Sequence, residues 1–214
     1  MKETTARQNI LKKIRQALGN TVPVPFPQSE GSESVFQHPR QEPEIEFAEN
    51  FTKLQGRFSF CINDKELVAQ ITQLVAARNW DKIYCRETAL KQMLADAGFT
   101  GNYNNDLINC DVSITGCEAL IARTGSMVMS AAQQSGRTTS VYAPVHICIA
   151  YTSQLRYDIK EALLDVKDKY PKLPSLITLA TGPSRTADIE KTLVVGVHGP
   201  KEVFCFLVES EAKA

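Results

Sequence analysis

The run Thr181-Gly182-Pro183-Ser184-Arg185-Thr186-Ala187-Asp188-Ile189-Glu190 concentrates the residue types that recognise an anion. The planar fork of Arg185 matches a carboxylate or phosphate, and the hydroxyls of Ser184 and Thr186 can add neutral hydrogen bonds. Apolar residues before this run and polar ones within it predict a strand handing over to a short helix at Arg185–Glu190. On that geometry Gly182 permits the turn, Ser184 caps, and the free N–H groups of the first helical turn favour negative charge. Asp188 would lie one turn on from Arg185, placed to orient the guanidinium. The plain alternative is a capped helix with a surface ion pair. A second candidate is Gly196-Val197-His198-Gly199-Pro200, a forced bend that presents His198, with Gly199 beside it, for proton transfer or for hydrogen bonding to a ligand. The third is Ile114-Thr115-Gly116-Cys117-Glu118 followed by Thr124-Gly125-Ser126, where Glu118 could act as base or nucleophile beside a hydroxyl-rich turn. An exposed turn histidine and a salt-bridged glutamate are the structural alternatives. His146 sits in a strand-like run and His38 among prolines, so neither carries a catalytic expectation.

Other chemistries are disfavoured. Walker A, GxGxxG, HExxH and GxSxG patterns are absent, which removes the usual routes to an NTPase, a Rossmann dehydrogenase, a zinc peptidase or a hydrolase with a nucleophile elbow. Cys61, Cys85, Cys110, Cys117, Cys148 and Cys205 are scattered without a CxxC, so no metal site and no iron–sulfur cluster is expected on this chain, and no cofactor fingerprint is recognisable. With 24 basic against 24 acidic side chains the net charge is zero, which argues against a nucleic-acid partner. No apolar run approaches the roughly 20 residues that span a bilayer, and no signal peptide is legible, so a cytoplasmic protein is expected.

The elements that must position these residues begin with a helix over 1–19, where Ile10, Ile14 and Leu18 recur at helical spacing beside a basic polar face. Residues 20–43 hold five of the ten prolines and read as an extended linker. From 44 to 214 helical and strand patterns alternate. A helix at Ile45–Leu54 precedes a strand at Phe58–Ile62. Asn63 or Asp64 can cap a helix carrying Leu67, Val68 and Ile71, a strand follows at Lys82–Cys85, and a helix runs over Thr88–Ala97. Ala119–Arg123 and Met127–Ala131 form a hairpin. Val141–Ala150 reads as a strand broken at Pro144, and Ser153 as the cap of a helix with Leu155, Ile159, Leu163 and Val166. Strands are expected at Leu176–Ala180, Leu193–Val197 and Val203–Val208. This order predicts an α/β fold, a mostly parallel sheet flanked by helices with a β-hairpin insertion. A right-handed crossover between Leu176–Ala180 and Leu193–Val197 would bring Arg185 and His198 to one edge, in one pocket.

The segments Ile114-Thr115-Gly116, Ala122-Arg123-Thr124-Gly125-Ser126, Gly182–Glu190 and Gly196–Pro200 together resemble the lactate utilization protein C (LutC/YkgG) family with its LUD domain. The likeness extends over roughly residues 44–214, and the leading helix and linker are similar as well. Around the hairpin the family pattern often has Glu-Thr-Gly, where this chain has Arg123-Thr124-Gly125. The resemblance implies a fold similar to the sugar-phosphate isomerase and CoA-transferase group. It also implies a role with two iron–sulfur partner proteins in oxidising L-lactate to pyruvate, this chain being the component without clusters. A small anionic ligand would be held by Gly182, Ser184, Arg185, Thr186 and Gly199, with His198 and Glu118 as proton-handling groups and Thr124-Gly125-Ser126 as the opposite wall. A stand-alone enzyme acting on phosphorylated or CoA-linked small molecules, and a non-enzymatic assembly factor for the iron–sulfur partners, are the competing functions. A homo-oligomer is compatible with each.

Overall fold

A computed structural model describes residues 6–19, 39–189 and 192–210. Residues 1–38 and 39–214 form separate compact units. In the first, helix α1 (Ala6–Gly19) carries Ile10, Leu11 and Ile14 exposed together with Lys12, Lys13 and Arg15. Most of the expected linker lies outside the described residues.

The second unit is built on a parallel sheet of five strands in the order β1-β11-β6-β3-β2: Arg57–Cys61, Glu202–Val208, Val145–Tyr151, Val112–Thr115 and Ile83–Tyr84. Side chains alternate across these strands and so serve two cores. On one face Ile83, Val112, Ile114, Ile147, Phe204 and Phe206 bury against α3 (Asp64–Arg78) and α4 (Thr88–Asp96) through Leu67, Val68, Ile71, Leu90 and Leu94. The other face places Cys148, Ala150, Val203, Cys205 and Leu207 against Phe47 and Phe51 of α2 (Pro43–Lys53) and against a second sheet. That sheet runs β7-β4-β5-β8: Leu155–Arg156, Ala119–Ile121, Ser126–Ser130 and Ile177–Ala180. Leu120, Met127 and Met129 face α2 and the parallel sheet, while Ala119, Ile121 and Val128 face Ala162 and Val166 of α6 (Ile159–Lys169). The fold is therefore α/β with a mostly parallel central sheet, and the hairpin is the middle of a second, smaller layer.

Asn63 caps α3, its Oδ1 accepting the Glu66 N–H at 2.9 Å, as its position predicts. Four elements differ from expectation. Residues Arg185–Ile189 are not a helix but a strand, β9, antiparallel to β10 (Thr192–Val195) with Arg185 opposite Val195 and Thr186 opposite Val194. The segment offers no apolar helical stripe, and pairing with the β-branched run Thr192–Val195 outweighs its weak local preference. Ser153 caps nothing long: a single 3-10 turn and β7 intervene before Asp158 caps α6, because Asp158 and Glu161 close a capping box that Ser153 cannot. Pro144 separates a short helix α5 (Thr139–Tyr142) from β6, so Val141 lies outside the strand. Strand β3 has no counterpart among the expected elements: the Gly-, Asn- and Asp-rich run 101–111 before it is a turn signal, but Val112–Thr115 is too short to show a period.

Candidate functional site

In a parallel sheet every loop that precedes a strand lies at the amino edge and every loop that follows one lies at the carboxyl edge. This sorts the expected site residues into different places. His198 lies in the loop 196–201 that enters β11, at the amino edge. Glu118 follows β3, at the carboxyl edge.

At the amino edge the two motifs of residues 182–186 and 196–200 are knitted together, by a β-hairpin rather than by a parallel crossover. The Ser184 N–H donates to the Pro200 carbonyl at 2.9 Å and the Gly196 N–H donates to the Ser184 carbonyl at 2.9 Å. Gly199 lies flat on Ser184, since a Cβ there would stand 2.9 Å from the Ser184 Cβ. The Lys201 N–H anchors the loop to the Pro144 carbonyl at 2.8 Å. His198, Gly199 and Lys201 line a cleft of about 510 Å³ whose other side is Val141, Tyr142 and Pro144. Arg185 is exposed at the foot of β9, and among the described residues no carboxylate pairs with it. The side chain of Asp188 lies outside the described residues. No helix N-terminus exists at Arg185, so any anion site here rests on side chains and turn N–H groups.

Thr124-Gly125-Ser126 is packed inside rather than lining a ligand wall with Glu118, for the β4–β5 hairpin puts Glu118 at its open end and this turn at its closed end. The Thr124 and Ser126 hydroxyls lie 2.7 Å apart, and Ser126 donates to Thr181 at 3.5 Å. Asn50 of α2 donates to the carbonyls of Ala122 and Arg123 at 3.0 and 3.1 Å. Gly182 passes against the loop after α2, where a Cβ would lie 2.6 Å from the Leu54 carbonyl oxygen. The turn thus shapes Thr181-Gly182 and supports the amino-edge motif from below. Arg123 pairs with Asp158 at 2.7 Å and holds Asp158 below the usual carboxylate range.

Glu118 is a fully engaged carboxylate: its side chain is 1% exposed, and it accepts from Ser130 Oγ at 2.5 Å, Lys169 Nζ at 2.7 Å and Tyr170 OH at 2.8 Å. Burial works against the charge of Lys169, but the hydrogen bond and charge of Glu118 prevail and raise its pKa. Burial, then Glu118, pushes the Tyr170 phenol up. A second carboxyl nearby is Glu87, in the short loop between β2 and α4. Burial raises its pKa, with the Ser135 hydroxyl and Gly116 N–H opposing. Sequence reasoning passed over Glu87, although its place directly after a parallel strand was a usable signal.

His146 is a core residue, its Nε2 lying 2.8 Å from Thr115 Oγ1. Burial depresses it to about 4, against an ordinary value of 6.5. Because the folded chain excludes a proton that the unfolded chain binds, this contribution is complete above pH 6.5 and is lost as pH falls toward 4, a swing of about 3 kcal/mol. Melting curves should show a stability loss over that window, and the H146Q variant should show a shallower one; equal slopes would place His146 in contact with water. All six cysteines are buried free thiols. Among the described residues no three of His, Cys, Asp and Glu converge as metal ligands, and no helix is long and apolar enough to cross a membrane.

Comparison with known proteins agrees with this architecture. A crystal structure of a DUF162 family protein from Deinococcus radiodurans superposes with a TM-score of 0.60 over 80% of this chain and 99% of that one, at 18% identity, a likeness of fold. Lactate utilization protein C of Bacillus licheniformis is 34% identical over 102 residues, 46% of this chain and 42% of that protein, and its Bacillus subtilis counterpart is 35% identical over 101 residues, with the same shares. An uncharacterized protein of Neisseria meningitidis serogroup B is 36% identical over 95 residues, 44% of this chain and 41% of that protein. These matches span under half the length of each curated relative. The family model of the LUD domain matches residues 45–208, almost the whole of the second unit, and the chain belongs to the LUD domain family.

Proposed function

We propose that this chain is a component of an L-lactate utilisation system, acting with iron–sulfur partner proteins in the oxidation of L-lactate to pyruvate, and that it holds a small anionic ligand in the amino-edge cleft. Relatives named lactate utilization protein C support the system, and the cleft supports the ligand class. Arg185 supplies a carboxylate-matching fork, Lys201 a second cation, and His198 a hydrogen bond or a proton. Gly199 lines the cleft with Ser184 packed behind it, and Gly182 sets the turn that leads into Ser184. Removing a hydride or electrons requires a cofactor, which this reading assigns to the partners. The observation that carries the site is the pair of hydrogen bonds binding Ser184 to Pro200 and Gly196, because it joins the two motifs into one rim.

Calorimetric titration of the full chain with L-lactate, pyruvate and inorganic phosphate tests the site. Arg185→Ala should weaken the bound anion about 10- to 100-fold, the equivalent of the about 1.5–3 kcal/mol of a hydrogen bond to a charged group, with the melting temperature within about 2 °C of the parent because the side chain is exposed. His198→Ala should weaken it less. Unchanged binding with altered melting would make Arg185 a structural residue.

A further inference from the structure

The first unit presents a basic helix with an exposed apolar stripe. Helix α1 holds four basic and no acidic side chains, and its Ile10, Leu11 and Ile14 are exposed. At about 100° per residue these three fall on one face, Lys13 and Arg15 flank that face on its two sides, and Lys12 lies on the far side. A helix of 14 residues is marginal in water by itself, so such a face gains most of its stability from a surface that covers it. The second unit presents a groove of the opposite charge. Ile45 of α2 and Phe58 and Phe60 of β1 floor a groove of about 590 Å³, and Glu42, Glu44, Glu49 and Glu209 stand around it. No Lys or Arg lines the groove, and among the described residues only Glu49 of the four glutamates has an ion pair, with the exposed Lys53 at 3.7 Å. Strand β1 is the edge of its sheet, and Ile45 and Phe60 are left exposed. Apolar surface rimmed by charge of one sign is a docking place for a segment of the other sign.

We propose that two copies of this chain form a dimer by exchanging these helices, the α1 of each copy entering the α2–β1 groove of the other. Ile10, Leu11 and Ile14 supply the helix-in-groove anchors against Ile45 and Phe60, and Lys13 and Arg15 face the glutamate rim and fix the register. Charge complementarity selects this occupant. Two grooves placed face to face would set glutamates against glutamates, whereas a basic helix on an acidic groove is attracted twice in every dimer. The sequence between the two partners fits exchange as well: Pro23, Pro25 and Pro27 follow α1, and alternating prolines favour an extended tether of about 3 Å per residue, suited to reaching a neighbouring molecule. Each copy gives one helix and receives one, so the assembly closes at two subunits and does not grow into a filament. The inference uses none of the residues of the amino-edge cleft and does not depend on the lactate role.

Sedimentation equilibrium of the full chain tests it. The wild type should run at twice the 23.7 kDa mass of the chain, and raising the salt from about 0.05 to about 0.5 M should raise the dimer dissociation constant about tenfold, because exposed ion pairs are screened. Lys13→Glu with Arg15→Glu reverses the helix, and Glu42→Lys with Glu49→Lys reverses the groove. Each of these two chains alone should be monomeric. Mixed in equal amounts they should return to the dimer mass, since the basic helix of one then meets the acidic groove of the other and the reversed helix meets the reversed groove; this recovery also shows that both variants are folded. Lys12→Glu, on the far side of the helix, should stay dimeric. A monomeric wild type would overturn the proposal, leaving the groove to the chain's own helix or to a basic helix of another protein. Dimers that survive either reversal, no recovery on mixing, or an equal loss through Lys12→Glu would overturn it too.

Discussion

Replacing Gly125 by valine should lower the melting temperature by about 10 °C. Gly125 has φ +62°, and a Cβ there would lie 2.7 Å from the Asn50 carbonyl carbon, 2.9 Å from Phe51 Cα and closer still to Phe51 N, all backbone of α2. A β-branched residue in the left-handed region costs about 1–2 kcal/mol, and forcing extra carbons against a packed helix adds about 1–3 kcal/mol. At about 2–4 °C per kcal/mol for a domain of this size, the two together give the expected shift. Gly98→Ala supplies the comparison: its φ of +99° lies further from the left-handed well and is at least as unfavourable, but nothing lies within 4 Å of the added Cβ. Only the conformational term applies there, so a loss of a few degrees is expected by thermal circular dichroism. If Gly125→Val melted no lower than Gly98→Ala, the turn would not rest on α2. Because Ser126 and Thr181 are set by this turn, the valine should also loosen the amino-edge motif that begins at Gly182.

The parallel sheet was legible because its strands and helices alternate with local signals, such as Asn63 before the Leu67, Val68 and Ile71 stripe. The hairpin was legible in Thr124-Gly125-Ser126 between two β-prone runs. Arg185–Ile189 was not. Its spacing of Arg185 and Asp188 suits a helix, its alternation suits a strand, and the decision falls to the partner strand that starts three residues after it ends. The Ser184 and His198 motifs meet through an antiparallel hairpin, not through the parallel crossover that the strand pattern predicts. The separation of His198 from Glu118 followed from strand order, which composition and periodicity do not encode. Glu87 escaped notice because a lone glutamate carries no signal; its hydrogen-bond partners, Ser135 and the Gly116 N–H, are brought to it only by the folded chain.

The largest functional effect concerns the lactate-utilisation role itself. If the chain is a required component of L-lactate oxidation, its loss removes pyruvate formation from L-lactate and leaves metabolism below pyruvate intact. Deleting its gene from a strain that grows on L-lactate should therefore abolish growth on L-lactate as sole carbon source, while growth on pyruvate continues at the parental rate. The wild-type gene should restore growth, and a gene carrying Arg185→Ala should restore it poorly at equal protein level. The growth rate of the deletion strain on L-lactate against pyruvate is the most direct test: no growth on the first and normal growth on the second is the expected result, and parental growth on both would contradict the lactate role outright.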